Sequence, residues 1–255
     1  MDKHQVIRLA MEQMSLDLAC SSYDFEKMEN TIVTYRQLEG RRIFSSEDYF
    51  IKIATFGNGA VVSANPLIHN WCKDFFSKHK GIDCFEHPVM CQIDEELNKY
   101  GKRLNVVHEL YLPYCNFNQK LDKVAEVKWF EKEEIPSLYK DERFKNALLY
   151  DVNSPRPDIL AVASYDGEKI TGMAGASMDC EKLWQIGIDV LPEYRQNGIA
   201  NYLVALLTNE ILKRGAIPYY GTWCSNIASR NIAQNCGFFP AWVEMYSIDI
   251  NKKCN

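Results

Sequence analysis

The run Val190-Leu-Pro-Glu-Tyr-Arg-Gln-Asn-Gly-Ile-Ala200 constrains this chain more than any other stretch, because it reads as a strand end, a tight loop and a helix start. A helix start leaves several backbone N–H groups without internal partners and carries the positive end of the helix dipole. Such a turn seats a phosphate group. Gly198 has no Cβ, so a bulky anion can approach the backbone there. Ala200 keeps the next contact small, and Arg195 and Gln196 can close over the anion from the side.

The following helix is carried by Ile199, Leu203, Leu206, Leu207 and Ile211, which recur at three- and four-residue spacing and form one apolar stripe. Asn197 has the chemistry of an N-cap, Lys213 and Arg214 suit the negative end, and Gly215 stops the helix. Taken alone, one Gly-x-small at a helix start is a common arrangement.

A longer stretch, Glu181 to Phe238, resembles the GNAT N-acetyltransferase family. The family signature [RQ]-x-x-G-x-[GA] reads here Arg195-Gln196-Asn197-Gly198-Ile199-Ala200. A second element follows at family spacing: a strand from Ile217 to Trp223, then Asn226-x-Ala-Ser229-x-x-x-Ala233-x-x-x-Gly237-Phe238. The resemblance extends more weakly back to about Lys123. It implies an α+β fold, a mostly antiparallel sheet with splayed strands flanked by helices, joined to a smaller amino-terminal α+β domain.

The composition sets outer bounds. A net charge of −5 argues against a nucleic-acid-binding surface and is compatible with cationic amines. No apolar run is long enough to span a bilayer, so no membrane partner is expected. Asp2, Lys3, Arg8, Glu12 and Asp17 interrupt any apolar leader. Nine cysteines without a C-x-x-C pair fit reduced thiols, and a cytoplasmic location is expected. His69, His79, His87 and His108 have no metal-ligand spacing.

Along the chain, residues 3–20 read as an amphipathic helix and residues 49–64 as a hairpin around Gly57-Asn58-Gly59. A lone G-x-G between two strands is a turn far more often than a nucleotide loop. Asn65-Pro66 opens a helix to about Lys80, and a second helix is expected at 92–100. A strand at 106–112 ends at Pro113. The polar run from Tyr114 to Lys123 divides an amino-terminal domain, 1–115, from a carboxy-terminal domain, 116–255. Beyond it a strand at 124–130 and short helices at 131–146 lead to a hairpin around Asp166-Gly167. A strand at 183–190, the helix at 198–214, a strand at 217–223, a helix at 226–236 and a last strand to about Ile248 complete the order. The amino-terminal domain has the order of a diverged copy of the same fold but lacks the phosphate loop. Its expected part is to wall an acceptor pocket or to make an interface.

For function, the resemblance implies transfer of an acetyl group from acetyl-CoA to a primary amine by direct attack on the thioester. The acceptor is a small-molecule or peptide amine, and a homodimer is left open. The pyrophosphate would sit on the amides of Arg195, Gln196, Asn197, Gly198, Ile199 and Ala200. The pantetheine arm would pass Ile188 and Val190, with the Val190 N–H facing the thioester oxygen and Asn231 a further contact. A lysine-like amine must lose a proton at a cost of about 4–5 kcal/mol at pH 7, which motivates a general base. Asp189 is the first candidate and Glu181 the second, with His108 and Glu109 able to reach in. The family's tyrosine four residues before Gly-Phe is here Ala233, so either Tyr220, Tyr219, Tyr246 or Cys224 protonates the departing thiolate or the thiolate leaves unaided. A non-catalytic acyl-CoA sensor or regulatory module is the alternative.

Overall fold

The computed structural model describes residues 2–43, 48–114 and 122–252. Strands β1 (Thr31–Thr34), β2 (Ile51–Thr55), β3 (Ala60–Ala64), β4 (Lys102–Leu104) and β5 (His108–Pro113) come from the amino-terminal segment. Strands β6 (Glu126–Glu131), β7 (Asp158–Asp166), β8 (Lys169–Met178), β9 (Leu183–Val190), β10 (Ile217–Thr222) and β11 (Phe238–Asp249) follow. The helices are α1 (Lys3–Leu18), α2 (His69–Phe76), α3 (His87–Asn98), α4 (Ile199–Lys213) and α5 (Ile227–Asn235). The fold is α+β with a mostly antiparallel sheet, as the resemblance implies. Among the described residues only the β1–β3 and β9–β10 pairs are parallel.

All eleven strands belong to one sheet in the order β1-β3-β2-β11-β5-β10-β9-β8-β7-β6, with β4 pairing β11 off this path. The last strand, β11, takes its partners β2, β4 and β5 from the amino-terminal segment. Strand β5 lies between β10 and β11 and is antiparallel to both. The boundary expected at 115/116 lies outside the described residues, and the sheet continues across it.

Each helix forms where local chemistry favours it and buries the stripe its period supplies. In α1 a reciprocal Asp2–Gln5 capping box starts the helix, and Val6, Ala10, Met14 and Leu18 are fully buried. The expected helix at 65–80 is instead a 3₁₀ turn at Pro66–Ile68 followed by α2, which ends at Phe76. The short helices expected at 131–146 are 3₁₀ turns at Ile135–Lys140 and Glu142–Phe144. Strands β1 and β4 carry no alternation strong enough to announce them.

The ladder registers and the burial clusters place α2, α3, α4 and α5 on one face of the sheet. Tyr111, Tyr220 and Ile186 pack with α4, while Met245 and Ile53 pack with α2 and α3. Helix α1 covers Leu110, Tyr219 and Trp242 on the other face. The 3₁₀ turns of 135–144 cover Ala161, Ala163 and Met173 farther along that face. Between these two covers the sheet is left open at β9 and β10.

Candidate active site

Strands β9 and β10 pair from Leu183/Ile217 to Ile186/Tyr220 and no farther, although β9 runs on to Val190 and β10 to Thr222. Their divergence opens a cleft of about 1300 Å³ that is lined from both faces of the sheet. Its walls carry ready-made donors. Leu191 donates to the Thr171 carbonyl at 2.9 Å, and Val190 pairs with Gly172 in the same antiparallel register. Ladder alternation therefore turns the N–H groups of Ile188 and Val190 away from β8, into the gap beside β10. The Val190 carbonyl is occupied by Arg195 Nε at 3.0 Å.

The loop after β9 is held from below. Lys169 Nζ meets Glu193 Oε1 at 2.8 Å, and Tyr194 Oη donates to Asp166 Oδ2 at 2.9 Å. Gln196 at φ 64° and Gly198 at φ 77° then turn the chain through the left-handed region into α4. Gly198 itself is the N-cap, and no side chain caps the helix. Asn197, expected as the cap, is exposed and does not line the cleft. A Cβ at Gly198 would meet nothing within 4 Å, so the glycine is needed for its backbone angle and not for clearance. The result is a row of free amides at the positive end of a fifteen-residue helix.

Helix α5 faces the same cleft with a different start. The Asn226 side chain accepts from the Ser229 N–H at 3.1 Å, and Ser229 Oγ contacts Tyr220 Oη at 2.8 Å. Tyr220 is buried, and burial pushes its hydroxyl up to about 12, so it stays protonated. Asn231 lines the cleft beside it. Arg230 fastens α5 to the inserted strand, reaching Glu109 Oε2 at 3.1 Å and Tyr111 Oη at 3.2 Å. Glu109 is thus turned away from the cleft. Ala233, where the family has its tyrosine, is fully buried against α4. Cys224 is exposed and does not line the cleft.

On the opposite face the cleft meets His108, Gln185, Tyr219 and Glu244. Glu244 belongs to a buried cluster in which Arg42 reaches Asp17 at 2.6 Å and Glu244 at 2.8 Å. Lys52 lies 3.6 Å from Asp17 and 3.7 Å from Glu244. Burial opposes the charge on Glu244, but Arg42 and Lys52 outweigh it and hold the carboxyl down at about 2. Tyr219 Oη donates to Asp179, and burial raises its pKa well above the ordinary range.

Asp189 lines the cleft, but its carboxylate accepts from Asn146 N at 2.7 Å, Asn146 Nδ2 at 2.7 Å and Ala147 N at 3.2 Å. It holds the chain where that chain crosses the sheet. The crossing passes over a glycine pair, Gly175 opposite Gly187. A Cβ at Gly187 would lie 1.9 Å from the Asn146 carbonyl oxygen, and one at Gly175 2.2 Å from that of Ala147. Glu181 is exposed beyond the far end of β9 and does not line the cleft. Six of the seven residues between the two acids lie in β9, a span of about 20 Å at the usual rise, so one acetyl group cannot meet both.

A splayed parallel pair, inward-facing amides and an uncapped helix behind a left-handed loop meet at this cleft. Residues 121–238 match the acetyltransferase (GNAT) family. That match covers 118 of the 255 residues. Solved structures of similar fold include a GNAT-family protein of Novosphingobium aromaticivorans, 15% identical over 58% of this chain and 66% of that one, TM-score 0.43. An acetyltransferase from the GNAT family of Colwellia psychrerythraea is 15% identical over 60% of each chain, TM-score 0.40. The chain thus spans less than two thirds of the length of both. A functionally unknown conserved protein from Staphylococcus epidermidis is 16% identical over 83% of this chain and 94% of that one, TM-score 0.47. No curated protein matches the chain. Among the described residues no helix is long and apolar enough to cross a membrane.

Of the residues expected around the cofactor, the cleft gathers Ile188, Val190, Arg195, Gln196, Gly198, Ile199, Ala200 and Asn231. Among the expected catalytic residues it gathers Asp189 and Tyr220 but not Glu181. Asn146, Gln185 and Glu244 line it without having been singled out. Only the cross-strand register, Tyr219 opposite Gln185 and Glu244 opposite His108, brings the last two to the opening.

Proposed function

We propose that the chain transfers an acetyl group from acetyl-CoA to a primary amine, by direct attack of the amine on the thioester. One observation carries this reading. The uncapped start of α4 lies beside a gap between β9 and β10 that exposes the Ile188 and Val190 amides. The free amides and helix dipole suit a diphosphate, and Arg195 stands over the same loop. An amide at Val190 suits the oxyanion that develops as the thioester is attacked. The amino-terminal segment then walls the acceptor half of the cleft, through His108 and Glu244. Tyr220, protonated and hydrogen-bonded to Ser229, is the nearest counterpart to the family's missing tyrosine and can donate to the departing thiolate. A cytoplasmic location belongs to the same reading.

Release of free thiol from acetyl-CoA, followed across a panel of amines, tests the reading. Amine-dependent release is the expected result. Binding of acetyl-CoA without release for any amine would favour an acyl-CoA sensor. Gly198→Glu should abolish cofactor binding, because it adds a negative charge where phosphate sits and a side chain where φ is 77°. Calorimetry with acetyl-CoA reads this directly, and unchanged heat in the folded variant would sink the assignment.

A further inference from the structure

We propose that His108, supplied by the amino-terminal segment, is the general base that takes the proton from the amine before it attacks. The inference rests on the acetyl-transfer reading above and deepens it. It comes from the insertion of β5 beside β10. Tyr111, Leu110 and Glu109 stand opposite Tyr220, Gly221 and Thr222, so the next residue, His108, comes level with Trp223. Continuing the Tyr220/Ile186 register, that level is the one of Asp189, next to the Val190 amide across the gap. His108 faces the acceptor side of the cleft and lines it, opposite the face where α4 and α5 receive the cofactor.

The state of the other candidates points the same way. Asp189 is fixed by three donors from Asn146 and Ala147. Asp158 accepts from Tyr139 Oη and Leu149 N, both at 2.8 Å. Glu244 is bound to Arg42 and to Trp242 Nε1 at 3.1 Å, and its low pKa makes it a poor base. The His108 ring only stacks on Tyr246, with centroids 6.4 Å apart, and has no hydrogen-bond partner among the described residues. Both lone-pair and donor positions are therefore left to a ligand or water.

The charged and titratable groups around the ring are Glu244 and Tyr246 on β11, Lys52 on β2 and Arg42 before it. Burial lowers the pKa of His108, Glu244 opposes this, and Lys52 and Arg42 add to it. The imidazole is neutral at pH 7 and able to accept a proton. The step balances without another reactant. An ammonium acceptor gives one proton to His108, and its nitrogen lone pair attacks the thioester carbon. The C–S bond breaks, the leaving thiolate takes the Tyr220 proton, and the second nitrogen proton restores the Tyr220 hydroxyl. The imidazolium then returns its proton to water.

His108→Gln tests this in the full chain, with thiol release at saturating acetyl-CoA as the readout. The expected result is a fall in kcat of about 100-fold or more, with unchanged calorimetric affinity for acetyl-CoA. The acid limb of the wild-type pH profile, set below the ordinary histidine value of 6.5, should disappear in the variant. Wild-type activity with a variant that keeps kcat and the acid limb overturns the proposal alone. Silence of the wild type toward every amine overturns the acetyl-transfer reading and the proposal with it. A nitrogen-15 titration of His108 in the wild type needs no variant. A ring charged at pH 7, or titrating apart from the acid limb, overturns the assignment even if the variant fails to fold.

Discussion

The two ends of the cleft are built in opposite ways. The loop end comes from one contiguous stretch, residues 188–200, and works through backbone amides set by two left-handed residues. The far end is assembled from side chains on β5, β9, β10 and β11, drawn from both halves of the chain. A backbone-built site tolerates side-chain change except where conformation is at stake. A side-chain-built site depends on every strand that delivers a member, and on the burial of charges whose desolvation must be offset by pairing. One end should therefore be robust and the other brittle.

The severest test removes the brittle end altogether. A fragment of residues 122–252 lacks β2, β4 and β5, which supply the ladder partners of β11, and leaves one edge of β10 bare. It should show no cooperative thermal unfolding in near-ultraviolet circular dichroism, and a fragment with a sharp transition would break the comparison. Glu244→Ala strips one acid from the Asp17–Arg42–Lys52–Glu244 cluster and leaves buried positive charge. A loss of about 3–5 kcal/mol is expected in denaturant titration. The pH dependence has a definite sign. The folded-state pKa of Glu244, about 2, is below its ordinary 4.5, so its contribution is complete above 4.5 and lost as pH falls toward 2. Melting temperatures of wild type should drop across that window more steeply than those of Glu244→Ala.

Gly187→Ala sharpens the contrast from the middle of the cleft. Its Cβ would strike the Asn146 carbonyl, so the crossing segment must shift, at a cost of about 1–3 kcal/mol. Thiol release should fall more than acetyl-CoA affinity, because the phosphate loop is untouched. Arg214→Ala is the mildest. Its paired bonds to Glu131, 2.8 and 2.6 Å, tie the end of α4 to β6 on the surface, far from both ends of the cleft. Less than about 1 kcal/mol should be lost, with activity unchanged.

The same division explains what the sequence made legible. The loop end was readable because phosphate binding needs neighbours in the chain: a strand end, a glycine and a helix start within eleven residues. Even there the cap was misassigned, since Asn197 has the right chemistry but Gly198 has the right backbone angle. Hairpins with local turns, β2–β3 and β7–β8, were equally plain. Hidden from the sequence was which strands become neighbours. Nothing in His-Glu-Leu-Tyr-Leu-Pro says that it will lie between two strands encoded over a hundred positions later. Asp189 adjoins Val190 in sequence, which made it the natural base, yet Asn146 and Ala147 claim its carboxylate from a segment that no local pattern connects to it.

The placement of β11 also bears on how the protein is made. Strands β2 and β5 leave the ribosome early, but the neighbour they share arrives only after everything from Pro113 to Phe238 has been synthesised. Until then the nascent chain has a sheet with a missing middle, and its bare strand edges invite wrong partners. Completion of the sheet is thus a late event that joins first and last segments, and it assembles the acceptor wall in the same stroke.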